Sequence, residues 1–168
     1  MRIDLLTSDQ AAAAHVGLAD VLLDCVADGA SIGFLATLSV EEARAWWRAA
    51  LAQPDTLTWS AREEDGRIVG TVRLVLATLP NGRHRADVAK LLVHRGARGR
   101  GCASALLSAL EDAAREIGRS VLVLDTRTGS PAEQLYQRRG WRPVGVIGDY
   151  AADPDGRLAP TTIMTKRL

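Results

Sequence analysis

The stretch Val93-His94-Arg95-Gly96-Ala97-Arg98-Gly99-Arg100-Gly101-Cys102-Ala103-Ser104 constrains the fold more than any other part of this chain. A mainly apolar run, Val88 to Val93, leads into it. A helical pattern of Leu106, Leu107, Leu110, Ala113, Ala114 and Ile117 leads out. Gly118 supplies a helix stop, and the compact apolar segment Val121 to Asp125 follows. The spacing therefore predicts strand, turn, helix, strand. Two strands joined by one crossover helix are expected to be parallel neighbours in a sheet. The glycines of the turn carry no Cβ, so backbone N–H groups can approach a ligand closely. Those groups lie at the positive end of a helix dipole, and Arg98 and Arg100 add full charges. The turn reads as a cradle for phosphate.

The rest of the chain sets the context of that crossover. Arg2 to Leu6 is a candidate strand, and Asp9 to Ala27 a helix with Val16, Ala19, Leu22, Leu23 and Val26 on one face. Residues 29–38 are a connection. Ser39, with Glu42 three places on, forms a capping box for a helix that runs to about Ala52 and stops before Pro54. Leu57 to Arg62 and Ile68 to Ala77 are strands joined by an Asp65-Gly66 turn. After an Asn81-Gly82 turn, Arg85 to Val93 is the third strand of the meander. Pro131 to Arg139 is a short helix ending at Gly140. Trp141 to Ile147 and Thr161 to Lys166 are the last strands, joined by a long loop, 148–160, that contains Asp153-Pro154-Asp155-Gly156. The expected order is β-α-α-β-β-β-α-β-α-β-β. That is an α/β chain with a mostly antiparallel mixed sheet, one parallel pair and flanking helices.

A length of 168 residues suits a single domain, 1–168. A formal net charge of +1 gives no electrostatic case for nucleic acid or a membrane as the main partner. Met1 is followed by Arg2-Ile3-Asp4 with no long apolar core, so neither a signal peptide nor a membrane span is expected. Cys25 and Cys102 form no disulfide framework, and a reducing cytoplasm is the expected location. His15, His84 and His94 lack a metal-ligand spacing, so no metal is expected.

Two familiar phosphate cradles do not fit. A P-loop needs Lys-Ser or Lys-Thr after its glycines, whereas Gly101 precedes Cys102-Ala103; a dinucleotide fingerprint needs a third glycine where Ser104 stands. The pattern Arg98-x-x-Gly101-x-Ala103 instead resembles the pyrophosphate-binding signature of the GNAT acetyltransferase superfamily. The segment Ala132-Glu133-Gln134-Leu135-Tyr136-Gln137-Arg138-Arg139-Gly140-Trp141 is similar to the second signature of that family. The resemblance implies acetyl-coenzyme A as co-substrate, with its acyl arm between the two parallel strands where they splay apart. It places the cofactor on Leu91, Leu92, Val93, Arg98, Gly99, Arg100, Gly101, Cys102, Ala103 and Ser104. Tyr136 would point at the coenzyme sulfur as a proton donor. Gly129 and Ser130 stand where the family often has an asparagine, which leaves Ser130 to bond the pantetheine or to cap the helix.

Ala86-Asp87-Val88-Ala89-Lys90-Leu91-Leu92-Val93, Leu124-Asp125-Thr126 and Asp153-Pro154-Asp155-Gly156-Arg157-Leu158 resemble the tabtoxin-resistance branch of the superfamily, which acetylates an amino-acid β-lactam. That resemblance gives Asp87 and Asp125 the handling of the acceptor amine, although the branch has a glutamate at the first of these positions. Alternation puts Asp87, Ala89, Leu91 and Val93 on one face, and Asp125 at the carboxyl end of its strand. A base is needed because an ammonium nitrogen has no lone pair. A backbone N–H of Leu91 to Val93 would stabilise the oxyanion. Cys102 near His94 is the alternative nucleophile for a ping-pong route; filling a small slot is its plainer role. Trp46 and Trp47 diverge on their helix, one toward the core. Tyr150 falls in the last loop, where packing is its plainer role and contact with an acceptor the alternative. The expected partner is a small-molecule amine, such as an amino-acid-like antibiotic or toxin, with a homodimer as an option. The alternatives are a protein N-terminal or lysine acetyltransferase and a non-catalytic acyl-coenzyme A sensor.

Overall fold

Local signals set where the helices begin. Thr7 accepts a hydrogen bond from Gln10 N while the Gln10 side chain returns to Thr7 N, and Ser39 and Glu42 make the same reciprocal box. In the computed structural model, which describes residues 1–168 apart from the Ser8 side chain, these boxes open α1 (Ser8–Ala27) and α2 (Val40–Leu51). The remaining helices are α3 (Cys102–Glu116) and α4 (Pro131–Arg138). The strands are β1 (Arg2–Leu5), β2 (Thr56–Arg62), β3 (Ile68–Leu76), β4 (Arg85–Val93), β5 (Val121–Arg127), β6 (Arg142–Ala152) and β7 (Leu158–Arg167).

The sheet order is β1-β2-β3-β4-β5-β7-β6, and only β4–β5 is parallel. The α/β class, the mixed sheet and the chain order agree with the sequence reading. The parallel pair holds for three rungs, Arg85 to Val121, Ala86 to Leu122 and Asp87 to Val123. Beyond Asp87 the two strands part.

Helices cover both faces. Under α3, Leu106, Leu107 and Leu110 pack on Val72, Leu74, Ala86, Val88 and Leu122. Under α1 and α2, Leu18, Leu22, Ala43 and Trp47 pack around Ile68 and Leu92. By length and composition α1 is apolar enough to cross a membrane, which the sequence reading did not notice. Its apolar side instead joins this second core, where Ala14, Leu18, Ala19, Val21 and Leu22 are buried.

Strand β4 serves both cores because it carries a bulge. Thr71 pairs with Leu92 and Arg73 with Ala89, so Val72 faces an extra residue, and Lys90 adopts φ +52°. The extra residue reverses the alternation. Ala86 and Val88 pack under α3, whereas Leu92, of the same parity, packs under α1. The single face expected for Asp87, Ala89, Leu91 and Val93 is therefore broken: Leu91 and Val93 turn to the α3 core, Asp87 and Ala89 to the other side.

The last connection also differs from expectation. Pairing of β6 with β7 lapses after Ile147 and resumes at Ala151, so most of the expected loop 148–160 is strand. Asp149, at φ +49°, lies in that outward bulge. The true turn is Asp153 to Gly156, closed by Gly156 N donating to Asp153 O at 2.8 Å. It docks on the connection between α1 and α2: Ala36 N donates to Pro154 O at 2.9 Å, and Ser31 Oγ to Ala152 O at 3.4 Å.

Candidate functional site

Chain direction turns sharply between β4 and α3. Gly99 and Gly101 take φ +72° and +80°, where a side chain would be strained. Gly101 gives α3 no side-chain cap, and the first helical bond runs from Ala105 N to Gly101 O. The N–H groups of Cys102, Ala103 and Ser104 are thus left as open donors at the positive end of a four-turn helix. Arg98 donates Nε to Val93 O at 3.0 Å and its guanidinium pairs with Asp28. Arg100 pairs with Glu63 at 2.7 Å.

From this turn a cleft of about 1230 Å³ follows the gap between β4 and β5. Leu91, Leu92 and Val93 form one wall, past the point where β5 could bond them. Asp125, Thr126 and the start of α4 form the other. Segment 25–33, with Asp28 and Gly33, closes the side under α1.

Tyr136 and Asp125 meet at the far end. The phenol is buried, its ring 5.7 Å from that of Trp141, and burial together with the Asp125 charge raises its pKa. It therefore holds its proton at neutral pH. Asp125 is exposed to the cleft. Lys90 lies at the same end. Its Nζ sits 5.8 Å from the Phe34 ring centroid and 5.3 Å from that of Trp46. Burial lowers its pKa; Asp125 opposes that shift and Arg73 adds to it.

Most of the residues expected at the site gather here. Leu91, Leu92, Val93, Arg98, Gly99, Gly101, Cys102, Ala103, Ser104, Asp125, Ser130 and Tyr136 all line one cleft. Arg100 does not; its side chain is turned to the hairpin between β2 and β3. Asp87 does not either. It occupies the last rung that β4 shares with β5, half exposed, and its carboxylate accepts from Arg85 at 2.9 Å. Ser130 caps α4 by accepting from Glu133 N at 3.2 Å. Cys102 is buried against Gly70, where any Cβ would come within 2.9 Å of its sulfur. Burial and the Glu63 carboxylate push its thiol up to about 11, so it stays protonated and fills the small slot. Of the adjacent tryptophans, Trp47 is fully buried and Trp46 flanks Lys90.

Sequence reasoning missed Lys90, Phe34 and segment 25–33. A lysine inside an apolar strand was the one available signal. Its aromatic neighbours come from elsewhere in the chain and leave no local trace.

A model of the Acetyltransferase (GNAT) family matches residues 22–141, most of the chain. The chain belongs to the GNAT acetyltransferase family. Among relatives of this GNAT chain, an IAA acetyltransferase of Azospirillum brasilense is 33% identical over 105 residues, 62% of the chain. The match spans 66% of that protein's length, just under two thirds. A phosphinothricin acetyltransferase of Sinorhizobium meliloti, solved with acetyl-coenzyme A, superposes with a TM-score of 0.81 at 18% identity. It covers 99% of this chain and 88% of its own. A ribosomal-protein-alanine N-acetyltransferase of Brucella melitensis gives 0.79 at 24% identity over the full length of both chains. At these identities the two solved structures establish the GNAT fold and nothing finer.

Proposed function

We propose that this GNAT enzyme transfers an acetyl group from acetyl-coenzyme A directly to the amine of a small, amino-acid-like molecule, as its resemblance to the tabtoxin-resistance branch implies. One observation carries the reading. A single continuous cleft joins the open donors of α3 to Asp125 and Tyr136.

The fit to the coenzyme rests on the cradle. Three N–H groups open where a diphosphate would lie, and an oxyanion is the chemistry they match; the Arg98 guanidinium lines the same cleft, where it pairs with Asp28. When bound, acetyl-coenzyme A supplies an activated acyl carbon. Asp125 binds the acceptor's ammonium and takes its proton, directly or through water. Asp87 lies outside the cleft lining, so Asp125 is the better-placed base. A backbone N–H of Leu91 to Val93 holds the charge that develops on the carbonyl oxygen. Tyr136 delivers a proton to the departing sulfur as the C–S bond breaks, and it is reprotonated, through water, by the second proton that leaves the nitrogen as the amide forms. Each proton transfer contributes about 10²–10⁴-fold.

The docked turn of β6–β7 favours a small acceptor over a peptide. Asp153 accepts from Arg127 at 2.7 Å and the turn bonds segment 31–36, so the rim there is tied rather than open. A cytoplasmic location and a single catalytic domain over 1–168 complete the reading.

The experiment is a thiol-release assay with acetyl-coenzyme A against amino acids, small amines and peptides, paired with calorimetry of the coenzyme. Turnover of an amino acid with no turnover of peptides is expected. Peptide turnover alone overturns the acceptor assignment. Tight coenzyme binding with no turnover of any amine turns the reading into an acyl-coenzyme A sensor.

A further inference from the structure

Lys90 is not explained by the acetyl transfer as derived above. It interrupts the apolar run Val88 to Val93, and it does so at the bulge, with a left-handed φ of +52°. For a non-glycine residue that conformation is strained and persists only where its surroundings impose it. The bulge has a definite effect here. It sends the lysine toward the α1–α2 side, where its Nζ is flanked by Phe34 and Trp46. An added Cβ on Gly33, another cleft residue, would lie 3.8 Å from that Nζ.

The charges around this ammonium are unbalanced. Asp125 acts on it only at a distance, and no hydrogen bond contributes to its state. Arg73, the neighbouring cation, is itself buried; its Nη2 donates to Ala50 O at 2.7 Å and Gln53 Oε1 at 2.9 Å, and its Nε has no partner. Arg73 lies behind the cleft rather than in its lining, and two cations thus bear on this end against one carboxylate. Aromatic faces supply part of the solvation of an ammonium, but they leave its N–H donors without acceptors. A half-buried cation with free donors beside a reacting centre is suited to one singly charged oxyanion.

We propose that Lys90 is a specificity residue that binds the carboxylate of the acceptor, while Asp125 receives the amine of the same molecule. The acceptor class is then an α-amino acid or a close analogue, held as a zwitterion between β4 and β5. Phe34 and Trp46 fix the lysine so that little freedom is lost on binding. This deepens the proposed function and rests on it for the identity of the reacting amine.

The test compares matched α-amino acids and their carboxamides as acceptors, by thiol release with acetyl-coenzyme A. The carboxamides carry the less basic amine and so are favoured chemically; any preference for the acids reports recognition. The kcat/KM ratio of acid to amide is expected to be about tenfold or more in the native chain, to approach unity in Lys90→Met, and to be largely kept in Lys90→Arg. Lys90→Gln replaces Lys90→Met if the latter does not fold, as judged by its heat of acetyl-coenzyme A binding. Equal use of acids and amides by the native chain, or a ratio untouched by Lys90→Met, overturns the proposal. If no acceptor turns over, the function fails separately. The subsite is then decided by calorimetry of N-acetyl amino acids and their amides with the coenzyme A complex. A carboxylate preference lost in Lys90→Met sustains it, and the absence of binding or of preference overturns it.

Discussion

At the scale of single residues, the proposed mechanism has Tyr136 and Asp125 divide the proton traffic by environment. The phenol is buried and faces a negative charge, and both effects keep it protonated beyond its ordinary value near 10. Tyr136→Phe is therefore expected to lower kcat by about 10²-fold or more, with the Kd of acetyl-coenzyme A changed by less than about threefold. Steady-state kinetics and calorimetry check the two halves. The sign of the shift also fixes a pH profile. Loss of the phenol proton lies above its ordinary value, so kcat is expected to show no alkaline decline below about pH 10. A fall near pH 8 assigns the acid to another group.

At the scale of elements, the junction of β3, β4 and α3 is as tight as the cleft is open. A methyl group on Gly70 would lie 2.9 Å from Cys102 Sγ and 3.1 Å from Leu92 O. Gly70→Ala is expected to cost about 1–3 kcal/mol in urea unfolding and to weaken coenzyme binding, because the start of α3 must move away from β4. The docked turn offers a second check. The guanidinium of Arg127 holds the Asp153 carboxyl below the usual carboxylate range. A depressed folded pKa contributes stability above the unfolded value of about 3.9 and loses it as pH falls through the folded one. Asp153→Asn is thus expected to destabilise at pH 7 and to approach the native chain in stability only as the pH falls below about 3.9 and through the lowered folded value, by urea unfolding at each pH.

The same elements show what could be read beforehand. The capping box at Ser39, the Asp65-Gly66 hairpin and the glycine turn before α3 are local instructions, complete within a few residues. Asp125 and Tyr136 were singled out through the family resemblance, one at a strand end and one on a short helix, and both line the cleft. The bulge was not visible. It exists only in the pairing of Thr71 and Arg73 with β4, and counting alternate residues along one strand cannot reveal it. Residues 148–150 read as loop because glycine and aspartate disfavour strand; the pairing of Ala151 and Ala152 with β7 overrides that preference. Lys90 lacked a role for the same reason. Its meaning comes from Phe34 and Trp46, more than forty residues away in sequence.

At the scale of the whole molecule, one strand belongs to two layers. Because of its extra residue, β4 sends Ala86 and Val88 into the layer under α3 and Leu92 into the layer under α1 and α2. Neither layer can come apart while leaving that strand seated in the other. Trp59 and Trp141 lie in the first layer, and Trp46 and Trp47 belong to the second. Variants that keep tryptophans in only one layer are expected to lose fluorescence and far-ultraviolet dichroism at the same urea concentration, whichever layer is reported. The donor half and the acceptor half of the cleft then melt as one cooperative unit. For such an enzyme, partial denaturation offers no species that still grips the coenzyme after the amine's side has dissolved.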